Sequence, residues 1–532
     1  MIIILIWSAV LVAVFVLFFR QKYSRFSEYG VKHMKVVPLF GNMLRIVLRK
    51  EHLAENLNNI YTSFSEERFV GRYEFLRPTI VIRDLDLIKK ITVKDFENFL
   101  DHRGFTDEKV DPLFARNLFS LKGQEWKDMR STLSPAFTSS KIKLMVPFMD
   151  EVGEKMIRAL QKKIKDSDGY IDIDSKDLTS RYTNDVIASC AFGLKVDSYT
   201  DENNQFYEMG KAAVFVKLRQ IILIFASSAF PFLIKILKQS IFTPEVKNFF
   251  IDLVQNTMKD REARNITRPD LIHLLMEAKK GNLSHDDKDG TENENVGYAT
   301  VEESSIGKKT VTRTWSDVDL IAQAVLFFIA GFESVSIAAS FALFELARHP
   351  DIQERLAREI KEQNVKNGGK VDFSSLQSMK YLDMVISEII RLWPPGLSME
   401  RICTKDYNLG KPNSKAEKDF IIRKGEVVWM PIWCFHRDPN YFPNPEKFDP
   451  ERFSDDNKHE INQMAYMPFG FGPRNCIGSR FALCELKALL YQILLHLEVS
   501  PSSKTVFATE FDTDFFNPRL KGGHWLRFKS RN

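Results

Sequence analysis

From Ile2 to Phe19 (IIILIWSAVLVAVFVLFF) the chain carries no charged residue. At 1.5 Å per residue such a stretch extends roughly 27 Å, close to the roughly 30 Å hydrocarbon core of a bilayer, and predicts a membrane-spanning helix. A cleaved signal peptide would show a basic start, a shorter apolar stretch and a small-residue cleavage site; none is present, so the segment (1–19) reads as an uncleaved anchor. Arg20, Lys22 and Arg25 follow at once, which by the positive-inside rule leaves the remainder in the cytosol. Residues 20–37 read as a linker, and VVPLFGN (Val36 to Asn42), broken by Pro38 and Gly41, opens a globular body over 38–532.

Within that body, Glu51 to Leu194 is mainly helical in pattern, interrupted by β-branched residues at Pro78 to Arg83 that predict a strand. Phe206 to Phe242 is rich in aliphatic and aromatic side chains with interspersed lysines; it reads as core-packed helices or, alternatively, as a membrane-dipping surface. Gly281 to Arg313 is polar, acidic to mixed in charge and without apolar period, the pattern of a mobile surface loop. A helix then runs from Asp317 to Arg348, capped by Ser316 and stopped near Pro350, and its centre is apolar on nearly every face. About 48 Å long, it is predicted to be buried through the middle of the molecule. A helix ending before Pro394, a strand at Gly425 to Trp429, a helix from Ser479 and a strand-rich tail complete the pattern.

Composition narrows the functional classes. The 532 residues are 44% hydrophobic and 27% charged, enough to bury a large core, and no Gly/Ser- or Pro-rich linker divides the body. The formal net charge of +5 is spread without a Lys/Arg run, which excludes an electrostatic nucleic-acid footprint. Five cysteines, an odd number without a C-x-x-C pair, fit a reducing compartment and exclude zinc-ribbon, thioredoxin-like and covalent c-type heme patterns.

The segment Phe469-Gly-Phe-Gly-Pro-Arg-Asn-Cys-Ile-Gly478 holds one cysteine, Cys476, in a glycine-rich loop ahead of an apolar helix. Taken alone, it could be a buried structural cysteine in a turn. A thiolate binding heme iron would need the same setting: close approach allowed by Gly472 and Gly478, backbone N–H groups aimed at sulfur, and a helix N-terminus to stabilise the anion.

The segment matches the heme-binding signature of cytochromes P450, and other landmarks follow in order. Glu388-Ile-Ile-Arg391 resembles the family's Glu-x-x-Arg, and Phe448-Asp-Pro-Glu-Arg-Phe453 its meander, whose Arg452 would complete a buried ionic cluster. Trp126 and Arg130 match W-x-x-x-R. Ala330-Gly-Phe-Glu-Ser-Val335 matches the oxygen-activating motif of the central helix, except that Ser334 stands where the family usually has Thr. The resemblance covers essentially the whole chain and is closest to insect microsomal members, family nine, through phrases such as WKDMRSTLSPAFTSSKIKLM.

The resemblance implies a mainly α fold with smaller β-sheets, a long central helix over heme b and a single N-terminal membrane helix. It implies a monooxygenase of lipophilic xenobiotics at the endoplasmic reticulum membrane. Cys476 would ligate iron within the signature that also holds Phe469 and Arg474; Arg103, Trp126, Arg130 and Arg401 would meet the heme propionates; Glu333 and Ser334 would deliver protons. Electrons would come from NADPH through a separate cytochrome reductase, with cytochrome b5 a further candidate, docking on Lys122, Lys127, Lys141 and Lys487. Substrate contacts are expected in Phe105 to Phe119, Phe206 to Phe225, Phe327 to Ser334, Leu397 to Met399 and Phe515 to Phe516. His102 and His436 are expected to be ordinary surface or turn residues. A peroxide isomerase or dehydratase of the same fold and a non-catalytic heme-sequestering protein are the alternatives.

Overall fold

The computed structural model describes residues 1–104, 108–214, 223, 240–280, 297–309 and 313–531. The uncharged N-terminal segment is helix α1 (Ile2–Lys22), exposed as far as Phe18 and buried at Phe19. A helix apolar on every side with no protein around it suits a lipid environment. The stretch after it packs on the body: the Tyr23 hydroxyl donates to the Phe75 carbonyl at 3.2 Å, Arg25 pairs with Glu426 at 2.9 Å, and Phe26 is fully buried.

The helices that position the site are α2 (Gly123–Leu133), α3 (Val146–Lys165), α4 (Ser175–Ile187), α5 (Asp317–Arg348), α6 (Lys380–Leu392) and α7 (Ser479–His496). α5 starts with a capping box, in which Ser316 Oγ accepts from Asp319 N–H and the Asp319 carboxylate accepts from Ser316 N–H, and it ends before Pro350. Its length and apolarity match the sequence reading, and its burial is extensive because α4 runs alongside it. Gly331 permits that closeness: a Cβ there would lie 2.6 Å from Ile187 Cδ1. Thr183 and Thr179 then satisfy their hydroxyls on the α5 carbonyls of Phe332 and Ser336, both at 3.0 Å.

Among the described residues three sheets form; the smallest pairs Tyr407–Gly410 with Phe420–Ile422, and the two larger ones flank the helices. The strands β1 (Phe69–Glu74), β2 (Arg77–Ile82), β4 (Met399–Ile402) and β5 (Val427–Met430) lie in the order β1-β2-β5-β4, with β2 and β5 parallel and the other pairs antiparallel. β3 (Tyr170–Asp174), β6 (Leu497–Pro501) and β7 (Trp525–Ser530) form the second, in the order β3-β7-β6.

The predicted ionic cluster is assembled. Arg391 on α6 pairs with Glu388 at 2.6 Å, both wholly buried, and donates to the carbonyls of His436 (2.7 Å) and Pro445 (2.8 Å). Arg452 approaches Glu388 to 3.4 Å. His436 is no surface residue: it is buried, accepts from Met467 N–H at 2.9 Å, and desolvation lowers its pKa to about 3.

Two expected segments fall largely or partly outside the described residues. Of Phe206 to Phe242, the ends are described, and Phe206, Tyr207 and Phe242 are core. Of Gly281 to Arg313, residues 297–309 do not form an open loop; Ala299 and Ile306 are buried against the body.

Candidate active site

A cavity of about 460 Å³ lies between α5 and the start of α7, within the range of small-molecule and cofactor sites. Its floor is the cysteine loop. Cys476 N–H donates to the Phe469 carbonyl at 2.9 Å, and Asn475 N–H to that of Gly472 at 3.0 Å. These turns need positive φ at Gly470 (+76°) and Gly472 (+71°). At Gly472 only hydrogen fits, because a Cβ would lie 1.8 Å from the Thr92 carbonyl oxygen. Phe469, Cys476 and Gly478 line the cavity, and α7 begins at the next residue, Ser479, with its positive end toward the sulfur. Desolvation pushes the Cys476 thiol up, opposed by the Gly478 N–H and the charge of Arg130.

One end of the cavity is positively charged and short of anions. Arg401 on β4 is buried with its Nε unpartnered, and desolvation, offset only by Glu400, brings it down to about 10. His102 stacks on Phe119 (4.6 Å, 13°) with its Nδ1 buried and unpartnered, and desolvation plus the charges of Arg401 and Arg474 hold it well below its ordinary pKa. Arg474 lies 4.2 Å from the Trp126 ring and donates to the carbonyls of Leu100 (2.9 Å) and Leu121 (2.7 Å). Desolvation, Arg401 and Arg130 depress it against Asp101 alone. Buried cations of this kind are costly unless an anion joins them. A planar group bearing carboxylates at that end fits. Among the described residues no cluster of His, Cys, Asp and Glu can hold a bare metal ion, so a lone Cys476 suits a metal whose remaining ligands come with a macrocycle.

Several expected positions need correction. Arg103 is not among the lining residues; its guanidinium is held by Glu400 at 2.5 Å and by Glu74, two carboxylates that turn it toward β1 and β4. His102, its neighbour, is the residue that faces the cavity. The expectation of an ordinary surface or turn residue at His102 is corrected: a single histidine carries no periodic signal, and its burial against the cavity comes from the fold around it.

Arg130 lines the cavity but is committed to the Asn475 carbonyl (2.7 Å) and the Glu303 carboxylate (2.6 Å). Glu333 is buried outside the cavity lining, between Lys176 and Arg519, each at 3.2 Å. Against its desolvation these two cations hold its carboxyl below the usual range. Ser334 does line the cavity, and its hydroxyl donates to the Ala330 carbonyl at 2.6 Å. Lys487 is buried on Asp383 (3.2 Å) and is no surface charge.

The apolar wall includes Phe119, Phe327, Ile390 and Met399. Phe515 and Phe516 are not among the lining residues, and Phe105 and most of 206–225 beyond Val214 lie outside the described residues.

A family model described as Cytochrome P450 matches residues 32–524. Cytochrome P450 9e2 of Blattella germanica is 44% identical over 520 residues, covering 95% of this chain and 94% of the relative. Probable cytochrome P450 9f2 of Drosophila melanogaster is 40% identical over 521 residues, 95% of each. Cytochrome P450 6k1 of Blattella germanica is 36% identical over 513 residues, 96% of this chain and 93% of the relative.

Proposed function

The chain belongs to the cytochrome P450 family, and from that we propose that Cys476 is the iron ligand of an enzyme that oxidises lipophilic foreign compounds at the endoplasmic reticulum, its body facing the cytosol. It is a heme-thiolate monooxygenase of the insect family-nine type, with heme b as cofactor. The observation that carries the residue assignment is one cavity with Cys476 in its floor, an anion-poor cationic end, and the Ala330–Ser334 stretch of α5 in its wall.

When bound, the heme supplies dioxygen activation, and a thiolate ligand favours cleavage of the O–O bond. In this reading Arg401, His102 and Trp126 hold the propionates, with Arg474 adding charge behind them; Arg suits carboxylates because its donors form a fixed fork. Phe119, Phe327, Ile390 and Met399 exclude water and pack against an apolar substrate. Ser334 presents oxygen lone pairs to the cavity and can accept a hydrogen bond there while its own proton is held by Ala330. Glu333 acts on this site through charge, since its side chain is engaged by Lys176 and Arg519.

The sequence contains no nicotinamide or flavin module, so the reading takes electrons from NADPH by way of a separate cytochrome reductase, with cytochrome b5 a second candidate donor. No observation favours the peroxide-rearranging or sequestering alternatives.

The test is the absorption spectrum of the reduced, carbon-monoxide-bound protein. Parent protein is expected to give the thiolate-type Soret band, and Cys476→His and Cys476→Ser to lose both that band and turnover. A thiolate band surviving either substitution would remove Cys476 from the role.

A further inference from the structure

Residues 297–309, part of a stretch that reads as an open polar loop, form a strap fastened at both ends and in the middle. At one end Tyr298 N–H donates to Asp383 at 2.9 Å, and its ring packs on Phe453 (5.1 Å) and Tyr466 (5.5 Å). At the other end the Ser131 hydroxyl on α2 donates to the Lys309 carbonyl. Between them the Glu303 carboxylate points inward and accepts from Arg130 Nε at 3.2 Å and Arg130 Nη2 at 2.6 Å, a two-point fork in which the arginine side chain is 3% exposed and the glutamate 18%. The strap is shaped around that carboxylate. Ser304 N–H donates to Glu303 Oε1 at 3.1 Å, and Gly307 lies so close that a Cβ there would stand 2.5 Å from Glu303 Cδ.

What the fork holds in place is the residue before the cysteine. Arg130 Nη1 donates to the Asn475 carbonyl at 2.7 Å and Nη2 to Asn475 Oδ1 at 2.8 Å, while Asn475 Nδ2 donates to the Glu302 carbonyl at 2.9 Å. The peptide joining Asn475 to Cys476 is thereby fixed at its carbonyl by Arg130 and at its N–H by the Phe469 carbonyl at 2.9 Å. Arg130 and Cys476 line the same cavity, and among the described residues Glu303 is the one carboxylate paired with Arg130. A buried cation that loses its partner acts strongly on its neighbours, because little water is there to screen it.

We propose that Glu303 is a positioning residue of the cysteine site: as the counter-ion of Arg130 it holds the Asn475–Cys476 peptide in place and keeps the arginine's charge from bearing on the sulfur. The inference rests on the heme-thiolate reading and adds to it a residue from outside both the cysteine loop and the cavity lining. Groups behind a metal ligand set its orientation and its electron donation, and with them the potential of the metal. Without the Glu303 carboxylate an uncompensated cation would stand beside the sulfur. A cation favours the reduced, more negative iron–thiolate unit, so the ferric/ferrous potential rises.

The experiment is a redox titration of the full heme-loaded chain in vesicles, read by absorbance. At a fixed potential Glu303→Gln should raise the ferrous-to-ferric ratio on the order of tenfold, which for one electron is ~59 mV in midpoint. Gly307→Ala, whose backbone lies outside the left-handed region, keeps the charge on the chain but pushes the carboxylate off Arg130, and should shift the potential in the same direction. Glu302→Gln removes an equal charge from the exposed neighbouring side chain and should keep the parental potential. A strap that only added stability would lower the melting temperature of Glu303→Gln and leave its potential alone.

A parental potential in Glu303→Gln, or equal shifts in Glu303→Gln and Glu302→Gln, overturns the role given to Glu303 and leaves the heme-thiolate reading standing, since the parent's thiolate-type band carries that reading. Where Glu303→Gln fails to retain heme, Gly307→Ala decides, and a parental potential there overturns the role. A parent that gives no thiolate-type band overturns the heme-thiolate reading and the role of Glu303 with it.

Discussion

The Ser334 hydroxyl is bonded to the Ala330 carbonyl at 2.6 Å, the back-bonding geometry that a serine reaches easily in a helix. A threonine at this position would carry a methyl that restricts the side-chain torsion and keeps the hydroxyl in fewer orientations. A hydroxyl turned into its own helix presents a less constant partner to oxygen and water in the cavity. Ser334→Thr is therefore expected to raise the product formed per NADPH consumed, on the order of twofold, and Ser334→Ala to lower it, with substrate affinity little changed. Stoichiometry of NADPH, peroxide and product decides this; three identical ratios would exclude the hydroxyl from proton delivery. Arg103 and His102 give a second lesson at this scale. The carboxylates of Glu74 and Glu400 claim the arginine, and the histidine is left facing the cavity.

At the scale of elements, α7 supports the cysteine loop and also carries an unusual group. Glu485 is wholly buried, and both carboxylate oxygens lack a hydrogen-bond partner among the described residues. Desolvation raises its pKa well above the ordinary 4.5, so it folds as the neutral acid. A folded pKa above the unfolded one means that its contribution is fully present below about pH 4.5 and is lost as pH rises toward the folded value. Glu485→Gln should therefore melt above the parent at about pH 8, with the difference shrinking toward about pH 5. Thermal unfolding across that range is the check, and a pH-independent difference would mean that the carboxyl is ionised in the fold. The α6 cluster behaves differently, because Arg391, Glu388 and the His436 and Pro445 carbonyls satisfy one another.

On the scale of the whole molecule, the anchor and the body are joined through packed side chains. Phe19 is buried in the same core as Tyr23, Phe26 and Tyr73, and its ring stacks on Tyr23 at 5.8 Å. A truncation lacking residues 2–18 should unfold at the parental temperature, since nothing it removes is buried. Extending the truncation through Lys22 removes Phe19 and should destabilise by roughly 1.5–3 kcal/mol, the cost of exposing a core aromatic. Calorimetry of the two proteins in the same detergent distinguishes them; equal melting temperatures would show that the end of α1 contributes nothing to the body.

Local chemistry by itself determined the anchor, the buried α5 and the cysteine loop. An uncharged run, an apolar 32-residue helix and a glycine-flanked cysteine each constrain their own backbone, so their pattern is readable along the chain. Only the tertiary structure decided which charges meet. Glu333 and Lys176 are 157 residues apart, Arg130 and Glu303 are 173 apart, and Arg103 and Glu400 are 297 apart. No local pattern encodes such pairs, and each takes a side chain away from the role its position suggests. Residues 297–309 show the same limit: they have no apolar period, yet Ala299, Ile306 and the partly buried Arg130–Glu303 pair fasten them beside the cysteine loop, because isolated contacts become strong once the rest of the fold excludes water around them.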